Sequence, residues 1–157
     1  MQKISPFLWF NDQAEQVVNF YVSLFKDARI TSIARYQEDS PGPVGSVMTM
    51  GFSLFGQEFV ALNGGPVYQF NPAISFVVHC QDQVEVDHYW DALSNGGQTM
   101  QCGWLTDRFG VTWQIVPDAL FRLLGDPDPG RAYRANQAML KMIKLDIAAL
   151  ERAADGN

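Results

Sequence analysis

The fold is indicated by a stretch that occurs twice, as SPFLWFND at residues 5–12 and as SFVVHCQD at residues 75–82. In each copy a serine precedes a short apolar run, which is typical of a buried β-strand. In the first copy, Glu15 stands three residues after Asp12, and this spacing predicts a capping box at the start of a helix. The sequence therefore predicts a strand followed by a helix at the beginning of the chain.

The segments that follow the two copies also match each other. The helices align as FYVSL at residues 20–24 against YWDAL at residues 89–93, and the closing strands align as FGQEF at residues 55–59 against FGVTW at residues 109–113. Self-similarity of this kind indicates one supersecondary unit that is used twice. Each half is predicted to contain a strand, a helix and three further strands, over about residues 3–63 and 72–117.

The predicted fold class is α+β, with two βαβββ modules that form curved mixed sheets. A helix covers one face of each half-sheet, so the other face also needs to be covered. Bringing the two uncovered faces together encloses a cavity. We therefore predict a paired domain over residues 1–125 and a C-terminal helical extension over residues 126–157.

The extension is predicted to hold one long helix from about Arg131 to Ala154. Its apolar residues recur at helical spacing, and they are Ala135, Ala138, Met139, Met142, Ile143, Ile147 and Leu150. This stripe needs a surface to cover it, either on its own subunit or on a partner. The expectation is a homodimer.

Composition excludes several classes of protein. The chain has 157 residues, is 47% hydrophobic and carries a net charge of −6, so it can build a core without disulfides or a structural metal and shows no basic nucleic-acid-binding face. The N-terminus lacks a signal-peptide pattern, and no apolar run reaches the roughly 18–20 residues of a membrane span. Cys80 and Cys102 lack zinc-site spacing and are expected to be free buried thiols, which favours the cytoplasm.

Several short sequence motifs together resemble those of one family. They are PFLWF at residues 6–10, NGGP at residues 63–66 and DRFGVTWQI at residues 107–115, and they resemble the PhnB-like branch of the vicinal-oxygen-chelate superfamily, also named glyoxalase/bleomycin-resistance-like. The resemblance covers roughly residues 3–118. Some members carry the label demethylubiquinone methyltransferase, but a methyl donor usually occupies a glycine-rich turn after the first strand of a doubly wound sheet, and no GxGxxG exists here.

The resemblance also implies where a metal would be bound. Metal-using relatives hold a divalent ion with ligands on the first and last strand of each half, and the corresponding positions here are Ser5, Val60, Ser75 and Gln114. Neutral oxygens bind hard divalent ions far more weakly than carboxylates or imidazole do. The expectation is that the metal site is lost and that the protein has no cofactor.

Strand alternation predicts which side chains line the cavity. They are Phe7, Trp9, Val60, Ser75, Val77, His79, Thr112 and Gln114, with Trp104 as a wall or lid. Small-molecule sites often combine aromatic walls with a few polar groups in this way. The alternatives are that Phe7 and Trp9 belong to the core, that Gln114 bonds a neighbouring backbone group, and that His79 is a rim residue. Asp107 is predicted to form a tight turn with Gly110.

Three functions remain open at this point. The first is a small-molecule binder without the usual metal site. The second is a metal-dependent lyase, isomerase or dioxygenase of the same superfamily, for which no catalytic residue can be assigned. The third is a scaffold or regulatory protein that acts through the C-terminal helix. The sequence does not decide whether the protein is an enzyme.

Overall fold

The computed structural model describes residues 2–157, which divide into two units with the boundary between Phe70 and Asn71. The first unit contains β1 (Phe7–Phe10), α1 (Ala14–Leu24), β2 (Ala28–Arg35), β3 (Val47–Leu54) and β4 (Gln57–Asn63). Its four strands form one sheet in the order β1-β4-β3-β2. The β1 and β4 strands are parallel, and the other two pairs are antiparallel.

The core of the first unit lies between α1 and one face of this sheet. Val17, Val18 and Tyr21 on α1 are fully buried, and the Tyr21 ring lies 6.2 Å from that of Phe52 on β3. Phe52 in turn stacks on Phe59 of β4 at 5.1 Å. Burying a side chain of this size contributes about 1.5–3 kcal/mol, so the helical spacing in α1 and the strand alternation in β3 stabilise the same core.

The start of α1 differs from the prediction. Asp12 does not cap the helix; Gln13 occupies the cap position and makes no side-chain cap bond. Instead, the amide of Ala14 donates to Oδ1 of Asn63 at 2.8 Å. A distant side chain therefore satisfies a free amide at the start of this helix.

The second unit repeats the order of the first. It contains β5 (Phe76–Cys80), α2 (Gln83–Ser94), β6 (Gln98–Thr99), β7 (Trp104–Thr106) and β8 (Thr112–Pro117), and its sheet has the order β5-β8-β7-β6. The β5 and β8 strands are parallel, as β1 and β4 are. The α+β class and the two βαβββ modules are therefore confirmed.

The prediction of one long C-terminal helix is wrong. Three helices follow β8, namely α3 (Asp118–Leu124), α4 (Pro129–Met139) and α5 (Ile147–Asp155). Between α4 and α5, the carbonyls of Met142 and Ile143 accept hydrogen bonds from the bend before β7. Asp146 then starts a new helix, because its side chain accepts from the amide of Ala149 at 2.9 Å.

Most of the apolar stripe of the extension is covered by its own unit, although Ile143 is 47% exposed. The stripe packs on residues of β8 and α3 in one buried cluster, which comprises Val116, Leu120, Leu123, Ala135, Leu145, Leu150 and Ala154. Of the two alternatives, a surface on its own subunit or on a partner, the structure shows the first. Within residues 2–157, no helix combines the length and the apolarity needed to cross a membrane.

Candidate functional site

Each sheet has a face turned away from the helix of its own half, here called the distal face. In the first unit, Phe7 on β1 lies beside Val60 on β4. Phe7 is 60% exposed, so it does not belong to the core. Trp9 is on the same face but is partly covered by the loop after β4, since its Nε1 donates to the Gly65 carbonyl at 2.9 Å and its ring meets Tyr68 edge-on at 5.0 Å.

The distal face of the second unit brings together most of the predicted residues of that half. Gln114 on β8 lies between Val77 on β5 and Trp104 on β7 in the strand register. Its amide nitrogen donates to Ser75 Oγ at 2.9 Å. This bond shows that Ser75 and Gln114 point to the same side. The result is a polar pair between an apolar and an aromatic side chain.

Thr112 lies two residues before Gln114 on the same strand face. Its side chain is buried, with 2% of the residue exposed. Its Oγ1 has no hydrogen-bond partner among the described residues. A buried polar group of this kind costs free energy unless something bonds to it, and because this hydroxyl is enclosed, Thr112 does not contact a ligand on the distal face.

His79 is separate from this group. It lies opposite Val116 in the register, at the end of β5 next to α3. Its Nδ1 is 4.0 Å from a carboxylate oxygen of Asp118, and its ring lies 5.4 Å from that of Phe121. Both side chains of the His79–Asp118 pair are mostly exposed, so His79 occupies the rim position given as its alternative.

The four positions where the resemblance implies metal ligands hold no strong donor. Ser75 and Gln114 are neutral and bonded to each other, and Val60 has no donor atom in its side chain. Among residues 2–157, no group of three or more His, Cys, Asp or Glu side chains is arranged to hold a metal ion. The side chains at these positions are poor ligands for the divalent cation that the resemblance implies.

Asp107 has a structural role, as predicted. One carboxylate oxygen accepts from the amides of Phe109 and Val111 at 2.9 and 3.0 Å, and the other accepts from Nε1 of Trp113 at 2.9 Å. The amide of Gly110 closes the turn on the Asp107 carbonyl at 3.0 Å. This buried carboxylate therefore shapes the loop that leads into β8 and aligns Trp113 with the core.

The NGG motif is also structural. The side chain of Asn63 accepts from Ala14 and donates to the Val47 carbonyl, while the amides of Gly64 and Gly65 donate to the carbonyls of Phe10 and Asn11. A Cβ on Gly64 would lie 2.4 Å from the Trp9 ring. The motif therefore joins the ends of β1 and β4 to the start of α1, and only glycine allows Trp9 its position.

Two depressions were not predicted. One, of about 360 Å³, lies in the first unit between the NGG motif, the loop at residues 41–43 and the start of α1. The other, of about 440 Å³, lies in the second unit between the first residues of α2, α3 and α5. In the sequence, the Pro-Gly-Pro and NGG motifs are the features that could have indicated the first depression. No sequence signal existed for the second, because it depends on how the extension folds back.

The chain was compared with known families and proteins. A family model described as 3-demethylubiquinone-9 3-methyltransferase matches residues 2–116. The matched residues end before α3, so all three C-terminal helices lie outside them. No curated protein matches the chain.

Solved structures match the same fold. A putative 3-demethylubiquinone-9 3-methyltransferase, PhnB protein, from Bacillus cereus is 38% identical, with a TM-score of 0.68, and the match covers 74% of this chain and 99% of that one. Protein PA1353 from Pseudomonas aeruginosa is 20% identical with a TM-score of 0.62, covering 74% and 98%. The fosfomycin resistance protein FosX from Listeria monocytogenes is 12% identical with a TM-score of 0.50, covering 74% and 93%.

Proposed function

The chain belongs to the PhnB-like family of the vicinal-oxygen-chelate superfamily, whose model is described as 3-demethylubiquinone-9 3-methyltransferase, and from this premise we propose that it binds a small, partly aromatic molecule without a metal ion. The ligand contacts the distal face of the second unit, with Ser75 and Gln114 as its polar contacts. It packs against the side chains of Val77 and Trp104.

The observation that carries this proposal is the hydrogen bond between Gln114 and Ser75. It joins the two positions of the second half where metal-using relatives have ligands, and it does so with an amide and a hydroxyl. Such groups recognise polar atoms of a ligand by hydrogen bonds, and the adjacent aromatic ring supplies contact area.

The contacts of the NGG motif favour binding over methyl transfer. Gly64 and Gly65 donate their amides to the carbonyls of Phe10 and Asn11, so these amides are already used. Each sheet is mixed, whereas the glycine-rich turn for a dinucleotide-like cofactor belongs to a doubly wound parallel sheet. The methyltransferase description of the family model is therefore not extended to this chain.

We also propose that the protein forms a homodimer through β2. The apolar stripe of the extension no longer supports it, because most of the stripe is covered by the same unit. Support comes from β2, the last strand of its sheet, where Ile30 and Ile33 are 38% and 50% exposed. Antiparallel pairing of Ala28–Arg35 with a second copy sets Ile30 opposite Ile33 and no arginine opposite an arginine, which is a favourable cross-strand pattern.

The free thiols support a reducing compartment. Cys80 is buried and Cys102 is half-buried, and neither is in a disulfide. Disulfides are rare where glutathione and thioredoxin keep thiols reduced. We therefore keep the cytoplasm as the proposed location.

The test combines native mass spectrometry with a fluorine-detected NMR screen. Protein purified without added metal is measured alone and with Zn²⁺, Ni²⁺ or Mn²⁺, and it is then screened against fluorinated aromatic acids and amides. We expect no stoichiometric metal and at least one fragment whose affinity falls about two- to tenfold in Gln114→Leu, since a lost hydrogen bond costs about 0.5–1.5 kcal/mol. The matched control is Gln98→Leu on the exposed strand β6.

Two results would contradict the proposal. One tightly held divalent ion per chain would favour the metal-dependent lyase, isomerase or dioxygenase. A screen without any fragment sensitive to Gln114→Leu would remove the distal face of the second unit as a binding site.

A further inference from the structure

The bend before β7 has an unusual backbone. Cys102 and Gly103 both have positive φ angles, 61° and 80°. Their consecutive amides donate to the consecutive carbonyls of Met142 and Ile143, each at 2.8 Å. Cys102 has a side chain and pays a conformational penalty in this region, so the bend depends on these external acceptors.

This bend directly precedes Trp104. The amide of Trp104 donates to the Gln101 carbonyl at 3.2 Å, and its carbonyl accepts from Met100 at 2.8 Å. Trp104 lies beside Gln114 in the register of the second sheet. The backbone on both sides of this aromatic side chain is therefore fixed by the same turn that the extension holds.

The extension is itself held in place next to the bend. The side chain of Gln83 donates to the Leu145 carbonyl at 3.1 Å and accepts from the amide of Ile147 at 2.9 Å. Leu145 is fully buried, and a Cβ on Gly103 would lie 3.0 Å from its side chain. One face of this segment is thus tied to α2, and the other packs on the bend.

We propose that residues Met142–Leu145, here called the clasp, are a positioning element that sets Trp104 over the Gln114–Ser75 pair and so tunes which ligand the distal face accepts. This inference rests on the proposed function, because it assigns a role to the extension in the same site. The clasp lies outside residues 2–116 that the family model matches. The ligand preference of this chain therefore depends partly on a segment that is not part of the family pattern.

The test follows Trp104 directly in the full-length protein. Tryptophan is replaced biosynthetically by 5-fluorotryptophan, and Trp104→Phe identifies the fluorine signal of Trp104. Leu145→Ala removes the side chain that touches Gly103. Leu150→Ala is the matched control, because Leu150 is equally buried in the same cluster, whereas the side chain nearest to a Cβ on Gly103 is that of Leu145.

We expect the Trp104 signal to shift by more than its linewidth in Leu145→Ala and to stay in place in Leu150→Ala. If Leu145→Ala does not fold, the Trp104 signal is measured in Gln83→Ala instead. The control is then Arg122→Ala, since Arg122 pairs with Glu151 on α5 away from the clasp. An unshifted Trp104 signal in the folded clasp variant, or an equal shift in the control, would overturn the inference.

A second readout separates this inference from the proposed function. The affinity for 8-anilinonaphthalene-1-sulfonate, an aromatic anion, is measured by its fluorescence in the same variants. We expect at least a threefold change in Leu145→Ala and none in Leu150→Ala. A Trp104 shift without any binding of this probe supports the clasp as a positioning element and counts against the small-molecule site, whereas binding that is equal in all variants overturns the role of the clasp in ligand choice.

Discussion

Gln114 and Ser75 are joined by a 2.9 Å hydrogen bond from the glutamine amide to the serine hydroxyl. This bond links β8 to the residue just before β5, the edge strand that pairs with β8 in parallel. The resemblance implies that both positions are occupied by metal ligands in metal-using relatives. A neutral pair that satisfies itself needs no cation, and it leaves a polar surface suited to hydrogen bonding with an organic ligand.

Thr112→Val is expected to stabilise the protein. The Thr112 hydroxyl is buried and has no hydrogen-bond partner among the described residues, and an unsatisfied buried group costs about 1–3 kcal/mol. Valine has a similar shape without that cost, so the free energy of unfolding should rise by about 1 kcal/mol. Urea unfolding measures the gain.

The control for this prediction is Thr106→Val. Thr106 lies opposite Thr112 on β7 and is only half-buried, so its replacement should leave the unfolding free energy nearly unchanged. A loss of stability above about 1 kcal/mol in Thr112→Val would show that its hydroxyl has a partner. The idea of an unused polar group would then be abandoned.

Asn63→Ala is expected to destabilise the first unit. The change removes the acceptor for the Ala14 amide at 2.8 Å and the donor to the Val47 carbonyl at 3.1 Å. Loss of a helix cap together with a part-buried hydrogen bond costs about 1–3 kcal/mol. Asn63→Asp keeps the acceptor alone and should lose less, and both losses are measured by urea unfolding.

Asn11→Ala provides the comparison. Asn11 lies in the same depression and is exposed, and its backbone carbonyl accepts from the Gly65 amide. Its side chain should therefore be replaceable with little effect on stability. Equal losses in Asn11→Ala and Asn63→Ala would mean that Asn63 has no special role.

The cap of α1 shows where prediction from sequence stops. The repeat, strand alternation and helical spacing are local patterns, and they gave the order of elements in both halves. Asp12 with Glu15 also fits a local rule, but Asn63 reaches Ala14 from a distant strand and takes the place of that cap. Only the pairing of β1 with β4 brings these two residues together.

Stability should fall between about pH 9 and pH 12 because of Cys80. Burial, with a smaller contribution from the charge of Glu85, raises the pKa of the Cys80 thiol from 9.0 to about 12. The unfolded chain loses this proton first, so the stabilisation is complete below pH 9 and is lost as the pH rises towards the folded value. The loss by pH 10.5 should be about 2 kcal/mol.

This effect is measured as a difference between two proteins. Urea unfolding of the wild type and of Cys80→Ala is compared at pH 8 and pH 10.5, because the pKa of Tyr89 is also raised by burial and would otherwise contribute. The wild type should lose more stability than the variant. Parallel losses in the two proteins would show that Cys80 ionises normally in the folded state.

Ile33→Lys is expected to convert the proposed dimer to a monomer. The substitution places a charge on the exposed face of β2, opposite Ile30 of a second copy in the proposed pairing. Val44→Lys, at a residue that is also exposed but lies in a loop, is the matched control. Light scattering after size exclusion reports the mass, and a wild-type monomer or a dimer of Ile33→Lys would rule out this interface.

The candidate site, like the cap of α1, was only partly predictable, because it depends on contacts between segments that are distant in the sequence. The resemblance placed Ser75 and Gln114 at one site, and the two are in contact, whereas alternation along each strand added only Val77, His79 and Thr112 to their faces. His79 follows the same alternation, yet α3 begins beside it and makes it a rim residue. The extension was beyond prediction because its turn at Met142 is fixed by amides of the bend before β7.

The hydrogen bonds from Cys102 and Gly103 to Met142 and Ile143 have a consequence for biosynthesis. The acceptors are made 40 residues after the donors, so this turn stays incomplete until residue 143 has been translated. The first unit, in contrast, ends at Phe70, so all of its strands and its helix have been synthesised long before the acceptors. At translation rates of about 5–20 residues per second, the nascent first unit has on the order of ten seconds to fold before the second can be completed.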